Sequence, residues 1–261
     1  MRIISLVPSL TELVCELGLK SELVGCTSFC THPPDLRRIV EGVGGTKDPV
    51  LAKIKELKPD RILVNTEENR PEDIRSLKAI APVLETFPTS PWDVPEMFRV
   101  TGEFFGTSAL SEKMSGDLQL ALETLKETVR NHRQGFFRRF VYLIWTRPWM
   151  AVGEDTYISR LLNLAGWQNA LTGGDRYPVV SLEELKKVNP DVCFFSSEPW
   201  PFRTRDLEAF CKEWGRDDRP EFLKIDGRLM SWYGPATHVC VSQWLKWIKG
   251  EPDSLIKKFP I

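Results

Sequence analysis

The feature that most constrains this sequence is one long stretch without helix-breaking residues, which separates two blocks of a different character. From Thr107 to about Arg133 the chain has no proline and a single glycine, Gly116. The spacing of its apolar residues places them on one helical face; they are Leu110, Met114, Leu118, Leu122, Leu125 and Val129. The pattern predicts one helix of about 25 residues and about 38 Å, and we assign it residues 107–134.

Each flanking block alternates short apolar runs with amphipathic stretches. The apolar runs are Ile3–Val7, Leu23–Cys26, Arg61–Val64 and Val83–Phe87 in the first block, and Phe140–Trp145, Val192–Phe195 and Phe222–Ile225 in the second. Strands that alternate with helices predict βαβ units and mainly parallel sheets. We therefore predict an α/β protein with two lobes, residues 1–106 and residues 135–261, joined by the long helix as a rigid connector.

A segment of the first block recurs in the second. Leu57-Lys58-Pro59-Asp60 ends an amphipathic stretch and leads into an apolar run, and Val188-Asn189-Pro190-Asp191 does the same 131 residues later. Proline ends a helix and biases the residue before it out of the helical conformation. The alternative is that the two segments are unrelated and share a common Pro-Asp turn by coincidence. Two similar lobes predict a ligand cleft between them, at the carboxyl ends of their strands.

The bulk composition argues against two classes of partner. The 35 Lys and Arg residues nearly balance the 36 Asp and Glu residues, and the net charge of −1 supplies no broad field for nucleic acid or for an anionic membrane. The sequence contains no run of about 18 apolar residues, the length that a membrane-spanning helix needs. We expect a protein that binds no nucleic acid and is not embedded in a membrane.

The start of the chain predicts a compartment. Only five apolar or small residues, Ile3 to Val7, stand between Met1-Arg2 and Pro8, whereas the apolar region of a signal peptide has about 7–15. We therefore expect a cytoplasmic protein whose six cysteines are reduced. If the start has been trimmed, a periplasmic or cell-surface location is the alternative.

Aromatic residues carry most of the functional signal. Of nine tryptophans, only Trp92 precedes the long helix. Four others, with Tyr233, stand where predicted strands give way to loops: Trp145, Trp149, Trp200 and Trp232. Large flat rings around one cavity suit a bulky, planar or macrocyclic ligand. Arg147 lies between two of these rings and suits an anionic ligand group or a stacked aromatic face, unless it is simply solvated at a loop tip.

Metal and catalytic patterns are weak. Cys26-x-x-x-Cys30-x-His32, even with His238-x-Cys240, matches no common zinc spacing. His32 is either a loop residue able to ligate a metal held inside a ligand or an ordinary surface histidine. No nucleophile elbow, zinc-protease helix motif or phosphate-binding loop is present. We therefore predict no catalytic residues and no protein metal site, and we do not expect an enzyme.

The opening segment Arg2–Leu13 resembles the first strand, loop and helix of the helical-backbone (class III) substrate-binding proteins of ABC importers. This family includes vitamin B12-binding and ferric-siderophore-binding proteins. The resemblance continues through Leu23–Pro34 and Leu57–Val64, and in the second block through Val152–Ile158 and Gly166–Asn169. Within the family the chain is most similar to the cobalamin-binding subgroup, at Asn65–Arg70, Ser197–Phe202 and Asp226–Gly234.

The resemblance implies two Rossmann-like lobes with a shallow cleft that binds a corrinoid such as cobalamin, or a ferric chelate, and no intrinsic cofactor. It also implies an ABC importer permease as partner, docked through a surface carboxylate on each lobe, for which Glu68 or Glu72 is the candidate in the first lobe. We predict a monomer whose first lobe lines the cleft with Pro8, Ser9, His32 and Asn65, and whose second lobe lines it with Trp145, Arg147, Trp149, Trp200, Trp232 and Tyr233.

Two departures from the family pattern keep other functions open. Members that feed importers carry a secretion or lipoprotein signal, which the start of this chain does not show, and Asn65 and Thr66 stand where an aromatic residue is expected. One alternative is a cytoplasmic enzyme or accessory protein of cofactor or metal-chelate metabolism that uses cleft carboxylates and His32. The other is a structural or partner-binding protein with an empty cleft.

Overall fold

The computed structural model describes residues 1–132, 138–215 and 219–258. The chain forms two compact units, each built around its own sheet. The first unit comprises Met1–Pro88, Asp93–Gln119 and Trp232–Ala236, and the second comprises Thr89–Trp92, Leu120–Ser231 and Thr237–Ile261. The predicted α/β class with two lobes is confirmed.

The first unit contains a five-stranded sheet that is parallel throughout. Its strands are β1 (Ile3–Ser5), β2 (Leu23–Cys26), β3 (Glu41–Gly42), β4 (Arg61–Asn65) and β5 (Val83–Thr86). Its helices are α1 (Pro8–Glu16), α2 (Leu36–Ile39), α3 (Leu51–Glu56), α4 (Pro71–Lys78) and α5 (Val94–Phe105). The strand order β3-β2-β1-β4-β5 makes β1 central, and the chain changes direction across the sheet between β1 and β4. Such a switch point is where open α/β sheets bind ligands.

The second unit contains a six-stranded mixed sheet. Its strands are β6 (Arg138–Thr146), β7 (Trp149–Ala151), β8 (Trp167–Asn169), β9 (Val192–Ser196), β10 (Glu221–Ile225) and β11 (Ile256–Lys258). Its helices are α7 (Tyr157–Leu164), α8 (Leu182–Val188), α9 (Thr204–Trp214), α10 (Gly227–Ser231) and α11 (Pro235–Ile248), although α11 begins in the first unit. β6 pairs with β7 and β8 on one edge and with β9 on the other, so the switch point lies between β6 and β9.

The long predicted helix is present as α6 (Ser108–Asn131), with 24 residues. Leu118, Leu122 and Leu125 on its predicted apolar face are fully buried. Positions 133 and 134 of the predicted segment lie outside the described residues. The division between the two compact units falls within α6, after Gln119, and the boundaries 1–106, 107–134 and 135–261 remain a prediction.

The sequence repeat corresponds to a repeated backbone geometry. Lys58 and Asn189, at equivalent positions after α3 and α8, both have a φ of 46°, a left-handed conformation that is uncommon for residues other than glycine. Asp60 accepts a hydrogen bond from the backbone N–H of Arg2 (2.7 Å), and Asp191 accepts one from the backbone N–H of Arg139 (2.6 Å). In both units the Pro-Asp turn therefore ends a helix. Its aspartate links the beginning of the following strand to the beginning of the central strand by a hydrogen bond.

Packing of apolar side chains stabilises both sheets. In the first unit Ile4, Leu6, Ile62 and Val64 of the central strands belong to one buried cluster with the facing helices. The second unit has an aromatic core, in which Phe195, Phe210, Trp214 and Phe222 belong to one cluster. Trp167, Trp214 and Trp244 of the second unit are buried.

Candidate ligand-binding site

Sequence-predicted site residues of the first unit lie at the carboxyl ends of three neighbouring strands. Pro8 and Ser9 follow β1 and begin α1, where proline is favoured because its missing N–H has no partner in a first helical turn. His32 follows β2, and Asn65 ends β4. Pro8 and His32 are half-buried, whereas Ser9 and Asn65 are buried. The fold therefore places all four residues at the switch-point edge of the first sheet.

Asn65 positions a loop through its side-chain amide. Its Oδ1 accepts hydrogen bonds from the backbone N–H groups of Glu67 (2.9 Å) and Glu68 (3.1 Å), and its Nδ2 donates to the carbonyl oxygen of Thr86 (2.9 Å). Asn69 completes the arrangement, because its Oδ1 accepts a hydrogen bond from the backbone N–H of Asn65 (2.9 Å). Asn65 is fully buried. We therefore assign it the shaping of loop 66–69 rather than the direct ligand contact that the sequence suggested.

His32 packs against Trp232 within the first unit. The two rings meet edge to face, with centroids 5.6 Å apart and an interplanar angle of 88°. The Nδ1 atom of His32 also lies 3.1 Å from the hydroxyl oxygen of Thr31. His32 is thus a half-buried residue with an aromatic neighbour, not a solvated surface histidine.

Trp232 and Tyr233 correct one part of the prediction, because they belong to the first compact unit rather than to the second. They are 9% and 5% exposed, so both rings are largely buried. The reason is the close packing of the segment that follows them: Gly234 has a φ of 128°, and a Cβ atom there would lie 3.5 Å from the carbonyl oxygen of Ser9. These two residues stand between β10 and β11 of the second sheet in the sequence, and that position did not indicate their packing in the first unit.

The second unit presents an aromatic pair at its own switch point. Trp145 is the penultimate residue of β6, Trp200 follows β9, and their ring centroids are 5.0 Å apart at an interplanar angle of 62°. Trp145 is 37% exposed, and Trp200 is half-buried. The indole N–H of Trp200 is buried and has no hydrogen-bond partner among the residues that the structure describes. The pair offers an accessible ring face together with a donor that lacks an acceptor.

Arg147 and Trp149 take different roles in the turn that joins β6 to β7. Arg147 is exposed, and within the described part of the chain it has no ion pair or hydrogen bond. Trp149 stacks on Phe202 (centroids 6.1 Å apart, 10° between planes) and meets Phe210 edge to face (4.9 Å). Trp149 therefore supports the turn from the core, and the Arg147 guanidinium is available to an anionic group.

Carboxylates near the first switch point differ in exposure. Glu68 is half-buried, and burial raises the pKa of its carboxyl group, while the nearby Lys47 acts in the opposite direction. Glu72 is exposed in the first turn of α4. In the described ranges no three His, Cys, Asp or Glu side chains are grouped so that they could hold a metal ion. The Cys26, Cys30 and His32 motif accordingly does not form such a group.

One exposed aromatic residue at this edge was not predicted as a site residue. Phe87 follows β5 and is 48% exposed. The apolar run Val83–Phe87 placed it inside a strand, but β5 ends at Thr86, so the Phe87 ring leaves the sheet at its carboxyl end. The available signal was the proline that follows Phe87, because proline has no backbone N–H to continue the pairing of a strand.

Comparison with known proteins identifies similar chains with stated ligands. The vitamin B12-binding protein of Vibrio cholerae serotype O1 is 24% identical over 197 residues, covering 75% of this chain and 70% of the relative. The uncharacterized ABC transporter substrate-binding lipoprotein YvrC of Bacillus subtilis is 26% identical over 195 residues, 73% of this chain and 62% of the relative. A periplasmic heme-binding protein from Pseudomonas aeruginosa has a similar fold, with a TM-score of 0.83, 19% identity and coverage of 100% of this chain and 98% of that one.

These relatives correct the predicted cytoplasmic location, which is wrong. The similar proteins are described as periplasmic or as a lipoprotein of an ABC transporter. The prediction depended on the short apolar segment before Pro8, and the first residues of a sequence do not determine its compartment. Among the helices that the structure describes, none combines the length and the apolar composition that a bilayer crossing requires.

The match to a family is broad. The sequence profile described as "Periplasmic binding protein" matches residues 3–230, which include both sheets except β11 and both switch-point edges. The alternative of an enzyme or accessory protein is not favoured by this match. The chain therefore belongs to the periplasmic binding protein family.

Proposed function

We propose that this protein is the receptor for a bulky metal chelate, with a corrinoid such as cobalamin as the first candidate ligand and heme as the second. The observation that carries the proposal is the Trp145–Trp200 pair beside the exposed Arg147, at the switch point of the second sheet. Similarity to a vitamin B12-binding protein and to a heme-binding protein supports both candidates.

The chemistry of these side chains fits such a ligand. Trp145, which is 37% exposed, supplies apolar contact area for a flat macrocycle. The Arg147 guanidinium, which is always charged, suits a phosphate or carboxylate at the rim of that ligand. We propose that the first unit contributes Pro8, His32 and Phe87, while Asn65 and Trp232 hold its loops in place. The predicted cleft between the lobes remains a prediction.

We infer binding rather than catalysis. The serine at the end of β9, Ser196, is fully buried, and its hydroxyl lies 3.0 Å from the hydroxyl oxygen of Tyr142 and donates to the carbonyl oxygen of Glu198. Burial raises the pKa of Tyr142, so this phenol stays protonated and is no general base. This network holds the loop after β9 and does not activate a nucleophile.

We further propose that the protein acts outside the cytoplasmic membrane and delivers its ligand to an ABC importer permease. Docking through a surface carboxylate needs a charged group that is accessible. Glu72 meets this requirement because it is exposed in the first turn of α4. Glu68 does not meet it as well, since it is half-buried and its pKa is raised by burial.

The test is direct binding of cyanocobalamin, cobinamide, hemin and a ferric siderophore, measured by calorimetry and by quenching of tryptophan fluorescence. We expect saturable binding of at least one tetrapyrrole-type ligand without chemical change in it. Trp145→Ala should weaken that binding about tenfold, the equivalent of an aromatic contact worth about 1.4 kcal/mol. Arg147→Ala should weaken binding of the ligands that carry phosphate or carboxylate more than binding of cobinamide.

Trp92→Ala is the matched control, because Trp92 is exposed to the same extent (38%) but its ring lies under the ammonium group of Lys126. For the first unit, His32→Ala is compared with a substitution of the exposed His132, which directly follows α6, by Ala. Equal losses in Trp145→Ala and Trp92→Ala would show that the aromatic pair is not the binding surface. Absence of binding across the whole panel would contradict the proposed ligand class.

A further inference from the structure

An open recess lies between the end of β5 and the first half of α5 in the first unit. Its volume is about 180 Å³, well above the space that one water molecule needs. Glu85 and Phe87 line it from the strand side, and Asp93, Glu96 and Val100 line it from the helix side. Because Phe87 directly follows β5 at its carboxyl end, the recess adjoins the edge that we propose for the ligand.

The charged side chains that line this recess are all acidic. Glu85, Asp93 and Glu96 are exposed. Glu85 pairs with Lys78 through Oε1 (2.5 Å), and Glu96 pairs with Arg99 through Oε2 (2.6 Å), but neither cation belongs to the lining. A carboxylate that accepts from one cation keeps lone pairs for further donors. The recess therefore presents acceptors to a group that carries N–H donors.

A buried hydroxyl group in the lining has no hydrogen-bond partner in the described part of the chain. Thr101, in the middle of α5, is fully buried and lines the recess, and its Oγ1 is the atom without a partner. Thr124 and Thr128 on α6 instead donate to the carbonyl oxygen four residues earlier (2.8 and 2.7 Å), as threonines in helices commonly do. Buried polar groups are rarely left unpaired, because the loss of hydration is then not compensated. A bound group with an acceptor would supply the missing partner.

We infer that this recess is a subsite for a primary amide side arm of the ligand and that it favours a corrinoid over heme. The choice between these ligands rests on the proposed function. A primary amide has N–H donors for the carboxylates and a carbonyl oxygen for the Thr101 hydroxyl. Its short aliphatic stem fits Phe87 and Val100, which are 48% and 38% exposed.

The periphery of the two ligands differs in the group that this recess selects. Corrinoids carry acetamide and propionamide arms, whereas heme carries propionates. A propionate brings a negative charge next to three carboxylates and has no N–H donor to offer them, so the same recess disfavours it. Cobalamin has several amides and one phosphate, and its phosphate suits the exposed Arg147 of the second unit.

The first experiment uses acetamide and acetate as isolated arms and requires no larger ligand. The full-length protein is labelled at the methyl groups of valine and threonine and titrated with each compound in an NMR spectrometer. We expect saturable shifts of the Val100 and Thr101 resonances with acetamide and not with acetate. Thr101→Val removes the hydroxyl at nearly constant volume, so it should preserve the fold and weaken acetamide binding about threefold.

The second experiment compares cobinamide with cobyrinic acid, a corrinoid that has carboxylates in place of the amides. Calorimetry should show tighter binding of cobinamide by the unchanged protein. Glu96→Gln removes one negative charge from the recess and should reduce that preference about tenfold. Glu103→Gln is the matched control, because Glu103 is an exposed residue of the same helix that does not line the recess, and it should leave the preference unchanged.

Three results would overturn the inference: unshifted Val100 and Thr101 resonances with acetamide, acetate binding as tight as that of acetamide, or equal effects of Glu96→Gln and Glu103→Gln. The subsite and the proposed function fail separately. Acetamide shifts in a protein that binds no corrinoid and no heme would support the subsite and contradict the receptor function. Tight binding of cobinamide or hemin without acetamide shifts would support the receptor and remove the subsite.

Discussion

The two units place a switch point at the same position of their sheets but complete it with different chemistry. In the first unit the Asn65 amide binds the backbone of loop 66–69 and the Asn69 amide binds the backbone N–H of Asn65, so the strand end is held by buried hydrogen bonds. In the second unit the corresponding edge exposes Trp145 in contact with Trp200. The difference indicates that hydrogen bonds fix the shape of the first edge, whereas the second edge exposes aromatic surface that is available for contacts.

The largest expected effect is on the stability of the first edge. Asn65→Ala removes the acceptor of the backbone N–H groups of Glu67 and Glu68 and one of the two donors to the carbonyl oxygen of Thr86, which we expect to lower the free energy of unfolding by about 2–4 kcal/mol. Thr66→Ala, at an exposed neighbouring position, should change it by less than about 0.5 kcal/mol. Urea denaturation followed by circular dichroism measures both.

Trp145→Ala sharpens this comparison, because its ring is 37% exposed and its removal should cost less stability than Asn65→Ala. Similar losses for the two variants would contradict the division into a structural edge and an accessible one. A loss for Asn65→Ala no greater than that for Thr66→Ala would show that the loop does not depend on the amide.

The second prediction concerns the equivalent helices α3 and α8. The hydroxyl of Ser181 caps α8 by accepting from the backbone N–H of Glu184, whose carboxylate accepts in return from Ser181. Val50 precedes α3 and provides no side-chain cap. Ser181→Ala should cost about 1 kcal/mol, and Val50→Ala should cost less than about 0.5 kcal/mol. Thermal unfolding distinguishes them, and equal shifts would contradict the role of the cap.

The smallest expected effect tests the repeated left-handed residues. Lys58→Gly should stabilise the protein by up to about 1 kcal/mol, because glycine adopts a φ of 46° without steric cost. Asn189→Gly should gain about half as much, since asparagine tolerates this conformation better than lysine does. Denaturation midpoints of the two variants check this order, and a larger gain at Asn189 would reverse the argument.

How far the sequence predicts the fold depends on how local the signal is. The apolar run Leu23–Cys26 forms a strand with the predicted bounds, because a short buried run is a local signal. The helices Val94–Phe105 and Thr204–Trp214 were not predicted. Val94–Phe105 begins with an early proline that reads as a breaker, although proline is favoured in a first turn.

The candidate site was predictable as an edge and not in its detail. Parallel strands bring their carboxyl ends together, so Pro8, His32 and Trp145 could be assigned to the carboxyl-end edges of the two sheets from strand order alone. Whether a polar residue such as Asn65 turns toward a ligand or toward the backbone depends on the loop geometry. The packing of Trp232 on His32 is a contact between residues 200 positions apart, and no local pattern encodes it.

The assignment of Trp232–Ala236 to the first compact unit has a consequence for how the chain reaches its native state. When residues 1–119 have been synthesised, most of the first unit is present, but the segment that packs on Ser9 and His32 is not. The unit is completed only after nearly the entire polypeptide has emerged. A chain truncated between the two sheets therefore has an incomplete first unit. Folding of that unit is completed only after the second sheet has been largely synthesised.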